Sequence, residues 1–219
     1  MGESPHRTIV VVAGGDAVDP AHLDRLEGVL LIAADSGIER ATELGLHVDV
    51  AVGDFDSVSP AALDAVARDG AVIERHPAAK DATDLELAMD AAVARGATKV
   101  VVVGGHGGRL DHFLGNAALL ASPRYADLEV VAQMGPARVT VIRSVATLCG
   151  KPGDLVSLVP VHGDATRVTT DGLAYPLLGE DLHAGSTRGV SNEFVGIEAT
   201  VRLGTGVLLA VQPGRETSR

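Results

Sequence analysis

Up to about residue 132 the chain alternates between short, continuously apolar runs and segments of helical periodicity. The runs are Ile9–Val12, Val29–Ile32, Val48–Val52, Ala71–Ile73, Val100–Val103 and Leu128–Val131. An unbroken apolar run marks a strand covered on both faces, as in a parallel sheet. Helices are predicted between them, near 20–27, 36–44, 60–68, 83–94 and 109–121. In the fourth, Leu85, Ala88, Met89, Ala92 and Val93 fall at helical spacing along one stripe. In the last, Leu110, Phe113, Leu114 and Ala117 do the same. Repeated strand–helix units predict an α/β domain over residues 1–132, built on a doubly wound, mostly parallel sheet.

Past Gly135-Pro136 the period changes to two. Val195, Ile197, Ala199, Val201 and Leu203 alternate with Gly196, Glu198, Thr200 and Arg202, the pattern of a half-buried antiparallel strand. Further strands are predicted at Val139–Val145, Leu155–Val161, Arg167–Thr170 and Val207–Val211, separated by Gly- and Pro-rich turns. With no helical pattern in this half, a smaller all-β sandwich is expected over residues 137–219, and Glu216–Arg219 should form a frayed tail.

Composition narrows the chemistry. The chain is 46% hydrophobic yet has only three Phe, two Tyr and no Trp, so its cores must be built from Val, Leu, Ile and Ala. A formal net charge of −11 argues against a nucleic-acid partner, because phosphate backbones are held by Lys/Arg patches. A phosphorylated small molecule stays possible, since a metal ion can mediate between carboxylates and phosphates. The single Cys149 excludes an intrachain disulfide and any multi-Cys metal site, and its apolar context places it in a core. No apolar stretch approaches the roughly 18 residues of a membrane span, and the Ile9–Ala13 run is too short for a signal-peptide core, so a cytoplasmic protein is expected.

Candidate chemistry collects just after the predicted parallel strands. Asp35-Ser36-Gly37 follows the second, Gly53-Asp54-Phe55-Asp56-Ser57 the third, Lys80-Asp81-Ala82-Thr83-Asp84 lies past the fourth, and residues 104–112 follow the fifth. In a parallel sheet all of these emerge at the carboxyl edge, where such folds bind ligands. Asp54 and Asp56 can share one hard cation, although Asp-x-Asp is also an ordinary solvated turn. Thr83 and Glu86 form a capping box, with Asp84 at the positive end of the same helix. That structural role leaves Lys80 and Asp81 unexplained, and a basic residue there suits phosphate. The glycines around Gly105 match neither common nucleotide-binding motif, but they allow close backbone approach. Arg109, Asp111 and His112 open the next helix, and His106 and His112 are either metal ligands or hydrogen-bonded structural histidines.

In this order and spacing, these segments resemble the signatures of thiamine pyrophosphokinases. The second half adds Thr170-Asp171-Gly172-Leu173-Ala174-Tyr175-Pro176-Leu177 and Gly189-Val190-Ser191-Asn192-Glu193-Phe194, similar to two stretches of the bacterial family. The likeness spans roughly residues 9–211. It implies transfer of diphosphate from ATP to the hydroxyl of thiamine, with Mg²⁺ held by Asp54, Asp56 and Asp84. It also implies a homodimer with a site shared between chains. On the same footing, Asp35, Ser36, Gly37, Lys80, Thr83, Gly105, Arg109, Asp111 and His112 would face ATP, and Asp81 or Asp84 would take the hydroxyl proton. Tyr175, Ser191, Asn192 and Glu193 would meet thiamine. The chain departs from eukaryotic relatives in lacking the Trp that covers the thiamine ring, and Ala174 stands where bacterial relatives often have Lys. Two alternatives share parts of this pattern: an aspartyl-phosphate phosphohydrolase with Asp54 as nucleophile, and a non-catalytic thiamine- or nucleotide-binding module.

Overall fold

Residues 7–18, 28–79 and 81–214 are described by the computed structural model. The helix expected near 20–27, Lys80 and the Glu216–Arg219 tail lie outside these residues. The chain divides into two units, Met1–Asn116 with Asp127–Gly135, and Ala117–Ala126 with Pro136–Arg219.

In the first unit the apolar runs become β1 (Thr8–Ala13), β2 (Leu30–Ala34), β3 (Val50–Gly53), β4 (Val72–Arg75), β5 (Lys99–Val103) and β6 (Glu129–Met134). They lie in the order β6-β5-β1-β2-β3-β4, and every pairing is parallel. Successive strand residues point to opposite faces. On one face Val10, Val12, Leu31, Ala33 and Ala51 pack with Ile38 and Ala41 of α1 (Gly37–Glu43) and Leu63 and Val66 of α2 (Pro60–Arg68). Helix α3 (Asp84–Ala94) lies against β1, β2 and β3 and buries Leu85, Ala88, Met89 and Ala92, while Ile9, Val11 and Ile32 are sealed as well. The doubly wound sheet expected from the apolar runs is therefore present.

Three local expectations fail, each for a packing reason. Val93 stands at the margin of the α3 stripe and is exposed, while Ala91 is buried instead. Strand β4 is an edge strand with Val72 exposed, so it lacks the two-sided cover of its neighbours. On α4 (Leu110–Leu120), Leu110 and Leu114 face outward, leaving Phe113 half-buried edge-on against His106.

The second unit contains two antiparallel sets of four strands. One runs β12 (Asn192–Glu193), β9 (Leu155–Pro160), β14 (Leu208–Gln212), β7 (Ala137–Ile142). The other runs β11 (Leu178–Leu182), β10 (Ala165–Asp171), β13 (Glu198–Arg202), β8 (Val145–Cys149). Ile142, Val156, Leu158, Leu208 and Ala210 of the first sheet share one core with Leu148, Val168, Leu182, Ala199 and Val201 of the second. This is the smaller all-β sandwich. Alternation holds for Ala199, Val201 and Leu203, but Val195 and Ile197 are 60% and 71% exposed, because β13 starts only at Glu198. Cys149 is exposed rather than core: Leu148 takes the inward position of β8 and turns its neighbour outward.

Candidate active site

The parallel sheet brings the turns after β2 and β3 and the head of α3 to one edge. Asp35, directly after β2, takes φ +45°, a left-handed conformation that a short polar side chain tolerates. Its N–H donates to the Val52 carbonyl, and its own carbonyl accepts from Ile38 N–H, so the residue is fixed from both sides. Its side chain is buried at 8% exposure, and Oδ1 is sealed without a hydrogen-bond partner. The Asp54 carboxylate accepts the Asp56 N–H at 3.2 Å, closing a tight turn, and Ser57 Oγ donates to Asp56 at 2.9 Å. Phe55 between them points into the core, and the Arg75 guanidinium lies 5.1 Å from its ring centroid. That cation is a neighbour of the site that motif spacing alone did not disclose.

One carboxylate oxygen from each of Asp35, Asp54 and Asp56 lies within 4.8 Å of the others. Asp84 approaches through Gly53: a Cβ on that glycine would sit 3.2 Å from both Asp35 Cβ and Asp84 Oδ1. Burial pushes the Asp35 carboxyl above its ordinary value, the Ser36 N–H partly offsets this, and the charges of Asp84, Asp54 and Asp56 add to the rise. Unit charges at such separations repel by roughly 3–4 kcal/mol at an effective dielectric constant of about 20. An all-oxygen, crowded, partly dehydrated cluster of this kind fits a hard divalent cation. Thr83 caps α3 by accepting the Glu86 N–H at 3.2 Å, as the capping box predicted, and Asp81 is exposed just ahead of it.

The strand order reverses between β1 and β5, and in open α/β sheets such a switch point opens the ligand crevice. There the loop after β1 locks onto the loop after β5. Gly105 N–H donates to the Gly14 carbonyl at 2.8 Å and Asp16 N–H to the His106 carbonyl at 2.7 Å. Gly104, at φ +94°, must be glycine because a Cβ would collide with the Ala13 carbonyl. Asp16 also stands 3.6 Å from His106 Nδ1. Asp16 and the Gly14-Gly15 pair are candidate site residues that the motifs missed, and glycines ending the first buried strand were the available signal. Ser36 and Gly37 open α1 beside this loop, where Arg40 donates to the Gly15 carbonyl.

Arg109 and Asp111 form a two-pronged pair with each other, at 3.1 and 2.5 Å. Arg109 thereby holds the Asp111 carboxyl down at about 2. His112 is exposed on the same turn, and Asn116 donates to the Gly105 carbonyl at 3.0 Å.

In the second unit the remaining predicted residues gather on two zipped loops. Ala174 N–H donates to the Glu193 carbonyl, Val195 N–H to the Gly172 carbonyl, and Leu173 bridges Phe194. Asn192, only 6% exposed, spans them: Oδ1 accepts from Tyr175 N–H and Glu193 N–H, both at 2.9 Å, and Nδ2 donates to the Tyr175 carbonyl at 2.7 Å. Its side chain is thus committed to backbone, whereas Tyr175 presents a 59% exposed side chain. Ser191 takes φ +60° and is exposed, and Glu193 is half-buried on β12.

Comparisons with known proteins point to one family. The family model described as "Thiamin pyrophosphokinase, catalytic domain" matches residues 27–132, and "Thiamin pyrophosphokinase, vitamin B1 binding domain" matches residues 143–208. The thiamine pyrophosphokinase of Bacillus subtilis (strain 168) is 30% identical over 215 residues, covering 94% of this chain and 98% of the relative. A solved structure of thiamine pyrophosphokinase from Bacillus subtilis superposes with a TM-score of 0.84 at 27% identity, covering 95% of this chain and 100% of that one. The thiamin pyrophosphokinase of Geobacillus thermodenitrificans gives 0.82 at 29% identity, with 96% and 99% covered.

Proposed function

The chain belongs to the thiamine pyrophosphokinase family, and we propose that it transfers the diphosphate of ATP to the hydroxyl of thiamine, giving thiamine diphosphate and AMP. The observation that carries this reading is the acidic cluster after β2 and β3, retained within the segment that matches the family's catalytic domain. Residues 1–132 are then the ATP- and Mg²⁺-binding part, and residues 137–219 the thiamine-binding part. The cytoplasm is the proposed setting. No described helix is long and apolar enough to cross a membrane, and the net charge of −11 offers nothing to nucleic acid.

Asp54, Asp56 and Asp84 would hold Mg²⁺, which would supply positive charge for the triphosphate oxygens. The chain's own groups do the rest by positioning, as in other phosphoryl transfers. Glycine backbone at the β1/β5 switch point, with Ser36 and Gly37, lets the nucleotide approach closely. Arg109, released from Asp111, offsets phosphate charge. Asp111 and His112 line the same turn, and Lys80 would contribute from outside the described residues. The thiamine oxygen bonds to Pβ as the bond from Pβ to the oxygen bridging Pα breaks, and AMP leaves with that electron pair. The hydroxyl proton passes to a carboxylate at the head of α3, Asp81 or Asp84. Tyr175, Ser191 and Glu193 contact thiamine, with Asn192 holding Tyr175.

With ATP labelled at the β-phosphorus, label is expected in thiamine diphosphate and none on the protein. Label trapped on Asp54 would instead establish the phosphohydrolase chemistry, and nucleotide binding without AMP release would establish a binding module. The family comparisons favour neither of these.

We further infer a homodimer in which the thiamine residues of one chain serve the carboxylates of the other. Asp54→Asn and Tyr175→Ala proteins should each be nearly inactive alone. After subunit exchange, the mixture should recover about a quarter of wild-type activity, because half of the dimers carry one intact site of two. Proven exchange without recovery would place each site within one chain.

A further inference from the structure

We propose that Arg40 is a positioning residue for ATP: by binding the Gly15 carbonyl it fixes the loop after β1 in the shape that receives the nucleotide. This rests on the reading of the β1/β5 switch point as the ATP crevice, and it assigns a residue that no sequence motif marks.

The loop after β1 cannot hold its own shape. Gly14 and Gly15 are consecutive glycines, each free over a wide range of backbone angles. Gly15 takes φ +126°, and a Cβ there would collide with the His106 carbonyl, so glycine is required and its freedom comes with it. Each carbonyl is instead fixed by a donor from a different element. Gly14 receives the Gly105 N–H from the loop after β5, and Gly15 receives the Arg40 guanidinium from α1. Gly37 lets α1 lie against the end of β1, since a Cβ at that position would meet the Val12 carbonyl. Ser36 and Arg40, four residues apart and so on one face, then reach Gly14 and Gly15 in turn.

The burial of Arg40 is a second, independent observation. Its Nη1 pairs with Glu43 at 2.6 Å. An arginine kept only for such a pair stays in solvent, where the pair is worth little. The Arg40 side chain is only 19% exposed, and its Nε is sealed without an acceptor. A sealed donor is costly and rare, and the contact that this burial permits is the one with Gly15. Without that contact the Gly15 peptide is free to turn, and ATP must order the loop as it binds, which weakens binding. Thiamine binding has no part in this.

The test is calorimetric titration with ATP and Mg²⁺, with no thiamine present as acceptor, beside backbone amide exchange. Arg40→Met should weaken ATP about tenfold and raise its KM alike, with the KM for thiamine within about twofold. The Asp16 N–H, which donates to the His106 carbonyl at the end of the same loop, should exchange about tenfold faster. Arg40→Lys keeps a charged donor on a flexible stem and should restore both to within about threefold. Glu43→Gln should match the wild type within about twofold, as expected for an exposed pair. Should Arg40→Met not fold, Arg40→Gln, shorter and uncharged, carries the same expectation. Weak ATP binding with unaltered Asp16 exchange would make Arg40 a direct ligand contact. Wild-type ATP affinity in folded Arg40→Met would make it a structural staple of α1. Either result overturns the proposal. If the wild type binds ATP but forms no thiamine diphosphate, the proposed reaction fails while these comparisons stand.

Discussion

Asp54→Asn should lower turnover by several powers of ten at saturating Mg²⁺ while leaving the protein folded. The substitution keeps the shape of the side chain and the oxygen that receives the Asp56 N–H, so the turn after β3 survives. What it removes is charge, at the place proposed for the cation. Each 1.36 kcal/mol of lost transition-state stabilisation is about tenfold in rate, and a weakened metal clamp on a transferring phosphoryl group costs several such steps. Asp54 lies in one cluster with Asp35 and Asp56, and its charge adds to the rise of the Asp35 carboxyl. The thermal midpoint in chelator is the control for folding. Lost turnover with a near-wild-type midpoint separates a site effect from misfolding. Near-wild-type turnover in folded Asp54→Asn would remove this carboxylate from the metal site.

The parts of this molecule legible in the sequence are those set by short-range pattern. Continuous apolar runs gave the parallel strands because two-sided cover leaves no polar position, and β4 broke the rule because an edge strand has one neighbour. The two-residue period located β13 but overran it at Val195 and Ile197, where periodicity cannot tell a paired strand from an extended loop. Cys149 followed the register of its strand rather than the burial habit of its residue type. Within the site, Asp54, Asp56 and Thr83 were legible because spacing dictates a turn and a cap. The contribution of Asp35 to the cluster was not, since it depends on which strands are neighbours: β2 and β3 must pair before Asp35 can face Asp54. Asp16 and His106 meet for the same reason, through the pairing of β1 with β5. Asn192 shows a further limit. Its motif marks the residue as important without saying that its side chain is spent on backbone.

That last point leads to a prediction as large as the first. Asn192→Ala should destabilise the protein by about 2–4 kcal/mol and raise the KM for thiamine at least tenfold, with the KM for ATP nearly unchanged. The side chain makes three hydrogen bonds, two accepted from Tyr175 and Glu193 N–H and one donated to the Tyr175 carbonyl. Truncation leaves those backbone groups without partners, and each buried unsatisfied group costs about 1–3 kcal/mol, partly relieved where water enters. For a domain stable by about 5–15 kcal/mol this is a large share, visible as a fall in thermal midpoint of roughly 5–10 °C. The loss of thiamine affinity follows from geometry. Tyr175 is exposed and owes its place to the loop that Asn192 ties to β12, so a loosened loop presents the ring over a range of positions instead of one. Asn192→Asp gives a sharper version of the test. It keeps the acceptor for both N–H groups but turns an oxygen towards the Tyr175 carbonyl where a donor stood. It should therefore recover part of the stability lost in Asn192→Ala while leaving thiamine KM high. Steady-state kinetics with thiamine varied, beside thermal unfolding of both variants, decide the matter. Folded Asn192→Ala with wild-type thiamine KM would show that Tyr175 needs no such support, or that it does not meet the substrate.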